Sequence, residues 1–218
     1  MNWTYLRRAS WLDSRARFVA QTPPAGSLLD LGSSDGETLR HFAELRPDLR
    51  FFAADIAGTP ENYPAGCQFH RCDLVRERLP WSDASLDAIT AMHLVEHLPE
   101  LTPLFAEIAR LLKPGGRVYL ETPHPKTVTY PSPGGAAVGD FTLNFYDDLT
   151  HVRPVSPGAL AKHCRRCGLA VSASGTSRNW LFAASWPLYL FRAASRQRCT
   201  ARTHWLGWSA YLIARRPA

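Results

Sequence analysis

Short apolar runs alternate with amphipathic segments along most of this chain. Seven of these runs are typical of strands: residues 28–31, 50–55, 68–72, 86–92, 117–121, 169–173 and 208–213. Apolar residues at helical spacing predict helices over 4–20, 37–45, 101–112 and 157–167. Because strands alternate with helices, the pattern predicts an α/β fold with a doubly wound, mostly parallel sheet of seven strands.

Three segments stand outside this alternation. We predict one domain over 1–218, in which an N-terminal helix within 1–25 ends at Pro23-Pro24. The connection 122–155 shows no clear structure of its own, and a loop of that length is more often the cover of an active site than filler. Residues 178–203 predict a helical insertion before the last strand.

The charge is distributed unevenly along the chain. The net charge is +6, yet residues 1–148 carry all 19 acidic side chains, whereas residues 149–218 carry 11 basic and no acidic ones. Such asymmetry indicates an anionic partner, with an arginine-rich solvated surface as an equal alternative. The chain holds no recognised nucleic-acid-binding module, so nucleic acid is not the expected partner.

Several function classes are excluded by composition. The five cysteines form an odd set, and Cys164-x-x-Cys167 lacks a second pair at zinc spacing, so we expect reduced structural thiols. No apolar run reaches the length of a membrane-spanning helix. The first residues lack the layout of a secretion signal, and we therefore expect a cytoplasmic protein.

Three carboxylates lie at or near the ends of successive predicted strands. Asp30 precedes the loop Gly32-Ser33-Ser34-Asp35-Gly36, Asp55 ends the second strand and Asp73 follows the third. The carboxyl edge of an open α/β sheet binds nucleotide-sized ligands, so the three side chains predict one shared crevice. A nicotinamide dehydrogenase is not favoured, because Gly32 and Gly36 bracket three non-glycine residues and the G-x-G-x-x-G pattern is absent.

Four ordered blocks resemble the class I S-adenosylmethionine-dependent methyltransferases, which have a Rossmann-like fold. They are Leu28–Gly32, Asp55, Leu86–His97 and Leu111–Val118. The resemblance extends from about Leu28 to Leu212 and implies S-adenosylmethionine as cofactor; Ser34 stands where the family commonly has glycine. The implied cofactor-binding residues are Asp30, Gly32, Ser34, Gly36, Asp55, Ile56, Asp73, Leu74 and His93. Asp55 would take the ribose hydroxyls and Asp73 the adenine amino group.

The segment His93-Leu94-Val95-Glu96-His97 carries the candidate catalytic chemistry. If it were helical, the two histidines would share a face and match the H-x-x-E-H signature of zinc peptidases, but it follows a strand directly and stops at Pro99. The resemblance places it beside the transferable methyl group. We predict His93, His97 and His151 as catalytic proton acceptors. A divalent metal on His93, Glu96, His97 and His151, or a structural role, remains an alternative.

The predicted acceptor site lies in the connection 122–155. It holds His124 and the string Phe145-Tyr146-Asp147-Asp148-Leu149-Thr150-His151-Val152-Arg153-Pro154, which resembles methyltransferases acting on glycans and lipid-linked saccharides. The resemblance implies that His124, Tyr146, His151 and Arg153 bind the acceptor. Arg153 would suit a phosphate or carboxylate. We therefore expect O-methylation of a small-molecule, glycan or lipid-linked acceptor.

The insertion has an aromatic, leucine-rich body, Trp180–Phe191, followed by Arg192, Arg196, Arg198 and Arg202. This composition suits a helix lying on the acidic headgroups at the inner face of a membrane, as well as a helix packed over the acceptor pocket or in a dimer contact. The alternatives of another class are a metal-dependent hydrolase and a non-catalytic nucleotide-binding partner subunit. The sequence leaves the oligomeric state open.

Overall fold

A seven-stranded, mostly parallel sheet is observed in the computed structural model, which describes residues 3–132, 143–193 and 195–218. The strands are β1 Ser27–Leu31, β2 Arg50–Asp55, β3 Gln68–Arg71, β4 Leu86–Met92, β5 Leu112–Pro123, β6 Ala170–Ser177 and β7 Ser209–Arg215. Their order is β3-β2-β1-β4-β5-β7-β6, and β7 is antiparallel to both β5 and β6. The predicted fold class is confirmed. Residues 133–142 of the predicted acceptor loop lie outside the described residues.

Six α-helices accompany the sheet in the described part of the chain. They are α1 Ser14–Ala20, α2 Glu37–Leu45, α3 Thr102–Leu111, α4 Pro157–Arg166, α5 Trp180–Tyr189 and α6 Arg196–Leu206. The insertion predicted over 178–203 is therefore a pair of helices, which pack against each other: the Phe182 ring stacks on His204 at 5.4 Å. No described helix is both long and apolar enough to cross a bilayer.

The predicted helix over 4–20 is wrong in its first half. Residues 4–12 form two short 3-10 segments, Thr4–Arg7 and Ser10–Leu12, and only α1 is α-helical. Asp13 causes the break, because its backbone is extended and its Oδ1 accepts hydrogen bonds from the N–H groups of Arg15 and Ala16. An aspartate in this role begins a helix and competes with its continuation.

Two further boundaries differ from the predicted ones. The strand β5 begins at Leu112, directly after α3, and not at the predicted position 117; the Lys113 Nζ donates to Asp87 at 2.8 Å. The strand β6 extends to Ser177, beyond the predicted end at 173, because it pairs with β7 along that whole length. Pairing partners distant in sequence decide both boundaries.

Buried apolar residues form a cluster on each face of the sheet. In β1, Leu29 and Leu31 belong to one cluster and Leu28 to the other. Strands buried on both faces have this composition in doubly wound folds. The strand order reverses between β1 and β4, and such a reversal opens a crevice at the carboxyl edge of the sheet. The predicted site residues of β1, β2 and β4 lie at this edge.

Candidate active site

The loop after β1 depends on glycine at two positions. Gly32 and Gly36 have φ of +71° and +73°, in the left-handed region. A Cβ on Gly32 would lie 3.0 Å from Leu94 Cδ1, and one on Gly36 would lie 2.5 Å from the backbone oxygen of Asn62. Both positions therefore disfavour any side chain, and the loop backbone stays close to its neighbours at the carboxyl edge of the sheet.

Asp55, at the end of β2, is tied to this loop. Its Oδ2 accepts a hydrogen bond from the Ser34 N–H at 2.7 Å, and its Oδ1 accepts one from the Ala57 N–H at 2.8 Å. Each oxygen keeps a lone pair for a further donor. The adjacent Ile56 leaves 70% of its surface exposed. An acceptor carboxylate beside an exposed apolar side chain suits a ribose and its base.

Asp30 is engaged inside the protein. It is buried in β1, and its Oδ1 accepts a hydrogen bond from Thr90 Oγ1 at 2.6 Å. Burial raises the pKa of Asp30 to about 7; the Thr90 hydroxyl opposes this rise, and the nearby charge of Asp55 adds to it. Asp30 and Asp55 therefore lie close enough to interact.

Asp73 follows β3 on the same edge. Its Oδ1 accepts a hydrogen bond from the Val75 N–H at 2.9 Å, and the adjacent Leu74 is buried. Burial raises the pKa of the Cys72 thiol to about 11, and the carboxylates of both Asp55 and Asp73 contribute to the rise. Asp55 and Asp73 therefore both lie near Cys72. That one ligand binds to both carboxylates stays a prediction.

His93 lies where β4 ends, with a left-handed φ of 52°. Its Nδ1 is 3.2 Å from Glu96 Oε1, and its Nε2 is 3.3 Å from Glu121 Oε1. Burial opposes a charge on the ring, but the hydrogen bonds to Glu121 and Glu96 outweigh burial and raise the pKa of His93 to about 9. At neutral pH this imidazolium donates from both nitrogens and has no lone pair to accept a proton.

Glu121, in β5, is a fully buried carboxylate that gathers three donors besides His93. Arg15 of α1 donates two hydrogen bonds to it, and the hydroxyl groups of Tyr119 and Ser177 donate at 2.7 and 2.8 Å. Burial alone would raise the pKa of Glu121, but the Arg15 guanidinium holds it well below its usual range. A buried network of two cations and a carboxylate therefore adjoins the end of β4.

A second cluster lies on the other side of Glu96. One ligating atom from each of Glu96, His97 and His151 lies within 4.8 Å of the others. The imidazole rings of His97 and His151 are 4.7 Å apart, and the Val152 N–H donates to the Glu96 carbonyl at 2.8 Å. The connection 122–155 thus brings His151 to the turn after β4, as its predicted catalytic role requires.

Hydrogen bonds define the tautomers of both histidines. The Thr150 hydroxyl donates to Asp148 at 2.6 Å, so it must accept from His97 Nδ1–H at 2.9 Å. The His151 Nδ1 faces the Phe145 carbonyl oxygen at 2.6 Å and therefore also carries a hydrogen. With Nδ1 engaged in each ring, Nε2 is the remaining nitrogen, and that of His151 lies 3.7 Å from Asp148 Oδ2.

The helical H-x-x-E-H arrangement does not form. Val95–His97 is a 3-10 turn, and the left-handed His93 precedes it, so His93 and His97 do not share a face of one α-helix. The sharp turn out of β4 is the reason. Of the four residues in the alternative metal set, Glu96, His97 and His151 come together, whereas both nitrogens of His93 are engaged by carboxylates.

A cavity of about 620 Å³ opens beside His93 and is lined mainly by α6 and the start of β7. We call it the α6 pocket; its lining includes Arg15, His93, Arg196, His204, Trp208 and Ser209. The Trp208 ring lies 5.4 Å from the His93 ring. Burial lowers the pKa of His204 to about 4, so that ring is neutral. The volume is that of a small-molecule site.

The predicted acceptor-binding residues are distributed differently. His151 belongs to the cluster with His97, and the backbone N–H of His124 donates to the Trp208 carbonyl at 2.7 Å. Tyr146 is exposed, and the exposed guanidinium of Arg153 donates to a backbone carbonyl at 2.8 Å. His124 thus adjoins a residue of the α6 pocket, and the roles of all four in acceptor binding stay predictions.

Comparisons with known proteins identify the family. A methyltransferase-domain model matches residues 3–174. A ubiquinone biosynthesis O-methyltransferase of Xanthomonas axonopodis pv. citri is 33% identical over 113 residues, 47% of this chain and 46% of that protein. A ubiquinone/menaquinone biosynthesis C-methyltransferase of Desulfotalea psychrophila is 30% identical over 126 residues, 53% of this chain and 50% of that protein. The chain belongs to the class I S-adenosylmethionine-dependent methyltransferases.

A solved structure shares the fold of this methyltransferase. The S-adenosylmethionine-dependent methyltransferase of Mesorhizobium loti superimposes with a TM-score of 0.65 at 20% identity, covering 96% of this chain and 98% of that one. The predicted family and cofactor are confirmed. The chain spans about half the length of the curated relatives it matches.

The carboxyl edge of this methyltransferase fits its cofactor. Gly32 and Gly36 leave two loop positions without side chains, Asp55 keeps lone pairs to which ribose hydroxyls could donate, and Ile56 would offer an exposed apolar surface to an adenine. These are the features that an adenosyl group requires. Which side chains hold it stays a prediction.

Sequence reasoning missed Glu121, Arg15 and Trp208. Glu121 ends the predicted strand 117–121, so the rule that selected Asp30 and Asp55 would have selected it as well. Arg15 carries no such signal, because only the packing of α1 against β5 brings it to Glu121. Trp208 reaches His93 through the pairing of β7 with β5.

Proposed function

We propose that this methyltransferase transfers a methyl group to a hydroxyl oxygen of an acceptor that is held between the α6 pocket and the turn after β4. His93 connects the two, because it lines the pocket and bonds to Glu96 of that turn. The observation that carries the proposal is the pair of imidazoles, His97 and His151, whose rings lie 4.7 Å apart at the turn after β4 and whose Nδ1 atoms are held by the Thr150 hydroxyl and the Phe145 carbonyl. A neutral imidazole is the usual proton acceptor near neutral pH. The acceptor class, a small molecule, glycan or lipid-linked saccharide, is part of the proposal.

The division of roles follows from the hydrogen bonds. S-adenosylmethionine, when bound, would supply a methyl group bonded to its sulfonium sulfur, and the acceptor oxygen can attack that methyl group in line with the carbon–sulfur bond. His97 or His151 accepts the acceptor's hydroxyl proton at Nε2. His93, held as an imidazolium by Glu96 and Glu121, is a positioning residue and a donor, since it lacks a lone pair. Orientation of the two reactants would supply most of the rate enhancement.

A divalent cation on Glu96, His97 and His151 is the second candidate mechanism. The clustering of their ligating atoms within 4.8 Å supports it. Two imidazoles and one carboxylate suit a borderline ion such as zinc or manganese. The cation would lower the pKa of the acceptor hydroxyl. Methyl transfer that persists after chelation supports the imidazole base, whereas activity that is lost and then restored by zinc or manganese supports the cation.

The test begins with the cofactor site. Replacing Asp55 by Ala removes the carboxylate that would accept hydrogen bonds from the ribose hydroxyls. Titration calorimetry should show adenosylhomocysteine binding at least tenfold weaker, a loss of about 1.4 kcal/mol. Asp83→Ala is the matched control, because Asp83 is an exposed carboxylate that pairs with Arg110. Unchanged affinity in Asp55→Ala would remove Asp55 from the site.

The second part of the test addresses catalysis. A screen of lipid and glycan extracts with labelled S-adenosylmethionine should find an acceptor that the wild-type protein methylates. The double variant His97→Gln, His151→Gln should then lose most of kcat while binding adenosylhomocysteine with unchanged affinity. A protein that binds adenosylhomocysteine but methylates no extract would instead be a non-catalytic partner subunit. Full activity of the double variant would refute the base assignment.

A further inference from the structure

The outer side of α5 and the residues directly after it carry exposed apolar side chains. The exposed positions follow helical spacing and include no charged residue between Trp180 and Phe191. We call this surface the α5 stripe; it consists of Trp180, Leu181, Ala184, Pro187, Leu188 and Phe191. Phe191 is 98% exposed and Leu188 is 74% exposed. A group of exposed apolar side chains of this kind marks an interaction site.

The inner side of α5 is already used. Ala183 is buried, and Phe182 stacks on His204 of α6. The α5 stripe therefore faces away from the helix that α5 packs against. The insertion is predicted to pack over the acceptor pocket, to form a dimer contact or to lie on a membrane. In the structure α6 lines a pocket, whereas α5 leaves its apolar side exposed to solvent.

Arginines flank the α5 stripe at both ends. The Arg178 guanidinium lies 5.6 Å from the Trp180 ring, and the Arg192 guanidinium lies 5.4 Å from the Tyr189 ring. Arg202 of α6 is exposed as well. No acidic residue occurs anywhere in 149–218. An apolar stripe with arginines and without carboxylates complements a surface of acyl chains and anionic headgroups.

The far end of α5 lies near the active site. Arg196, which begins α6 shortly after the α5 stripe ends, forms an ion pair with Glu37 at 3.1 Å. Glu37 is the first residue of α2 and follows Gly36 of the cofactor loop. Arg196 also lines the α6 pocket. A surface that covered the α5 stripe would therefore lie beside both the pocket and the cofactor loop.

We propose that the α5 stripe docks this protein on an anionic lipid surface. The apolar side chains enter the boundary between headgroups and acyl chains, and the flanking arginines contact the phosphates. Because the α6 pocket adjoins the docked end, its acceptor is an amphiphile whose hydroxyl-bearing head projects from that surface. This last statement rests on the proposed function, whereas the docking itself is independent of methyl transfer.

Vesicle co-sedimentation with the whole chain tests the docking. The protein should bind vesicles of phosphatidylcholine mixed with phosphatidylglycerol, bind pure phosphatidylcholine much less, and dissociate as salt is raised. Leu188→Ser with Phe191→Ser should weaken binding about tenfold or more, because two apolar side chains lose their burial. The control is Leu149→Ser, which removes an apolar side chain that is 95% exposed elsewhere and should change nothing.

A charge-matched pair of variants tests the arginines. Arg192→Gln with Arg202→Gln should weaken binding to the anionic vesicles about tenfold or more. Arg165→Gln with Arg166→Gln removes the same charge from exposed positions of α4 and should have an effect of less than about twofold. Equal loss in both variants would refute docking through this surface and would indicate a general effect of net charge.

Two outcomes overturn the proposal outright. One is a wild-type protein that binds neither kind of vesicle. The other is a dimer, seen by analytical ultracentrifugation, that Leu188→Ser with Phe191→Ser dissociates, since a second copy would then cover the α5 stripe. Far-UV circular dichroism of each variant confirms that it is folded. Vesicle binding without cofactor binding would retain the docking and refute the proposed function.

Discussion

Replacing Glu121 by Gln perturbs the most heavily bonded carboxylate of the site. The wild-type side chain is fully buried and accepts hydrogen bonds from Arg15, Tyr119 and Ser177. An amide has the same shape, but it keeps one acceptor oxygen and presents an NH₂ group where these donors need an acceptor. Two cations, Arg15 and His93, lose their shared counter-charge.

The expected loss of stability is large. Removing one member of a buried ion pair costs about 3–5 kcal/mol, because the remaining charge stays buried without compensation. We expect Glu121→Gln to lower the free energy of unfolding by this amount in urea titrations followed by tryptophan fluorescence. Asp83→Asn is the control: its carboxylate pairs with Arg110 at an exposed position, where the cost should be below about 1 kcal/mol.

The same variant should change His93. Since the hydrogen bond to Glu121 helps to raise the pKa of His93 to about 9, its loss should return that pKa toward the ordinary value, as followed by NMR of the ring protons. If Glu121→Gln does not fold, Tyr119→Phe deletes one donor at 2.7 Å and should cost about 1.5–3 kcal/mol. A stable Glu121→Gln protein with an unchanged His93 pKa would refute the network.

Two further predictions concern stability. Gly32→Ala should lower the free energy of unfolding by about 1–3 kcal/mol in urea titrations, because φ is +71° and Leu94 lies 3.0 Å from the added Cβ. The control is Gly158→Ala in the first turn of α4, where the added Cβ meets only Ser156 Oγ at 3.7 Å and should stabilise the protein by up to about 1 kcal/mol. Equal effects of the two substitutions would contradict backbone strain at Gly32. The pKa of His93 is raised in the folded state, so its stabilisation is complete below about pH 6.5 and is lost as pH rises through about 9. Between pH 6.5 and 8.5 the free energy of unfolding of the wild type should fall by about 1–2 kcal/mol more than that of His93→Gln. Parallel pH profiles of the two proteins would contradict the raised pKa of His93.

The strand positions were predictable because their signal is local. The runs that become β1, β2 and β4 are apolar, and those of β1 and β2 carry a carboxylate at or near their ends. The family blocks lie on these same runs, which is why the loop after β1 and Asp55 could be assigned together. One error is local, since Asp13 caps the start of α1 and so divides the predicted N-terminal helix. Another lies where a distant partner decides, because pairing with β7 extends β6.

The three histidines show most clearly what the sequence predicts and what only the structure shows. Sequence alone identified His93, His97 and His151 as equivalent proton acceptors. The structure separates them, because His93 lies between two carboxylates and His97 and His151 each donate from Nδ1. The pKa of His93 depends on charges and hydrogen bonds within a few ångströms, and its partner Glu121 comes from β5.

By itself, the order of apolar runs, glycines and strand-end carboxylates determined the α/β fold and the family, and it predicted the edge of the sheet that carries the site. Tertiary structure decided that His93 lies between two carboxylates, that Arg15 pairs with Glu121 beside it, and that α6 lines the cavity next to it. Periodicity and motifs are properties of neighbouring residues, whereas burial, ion pairing and cavity shape arise only when segments remote in sequence pack together.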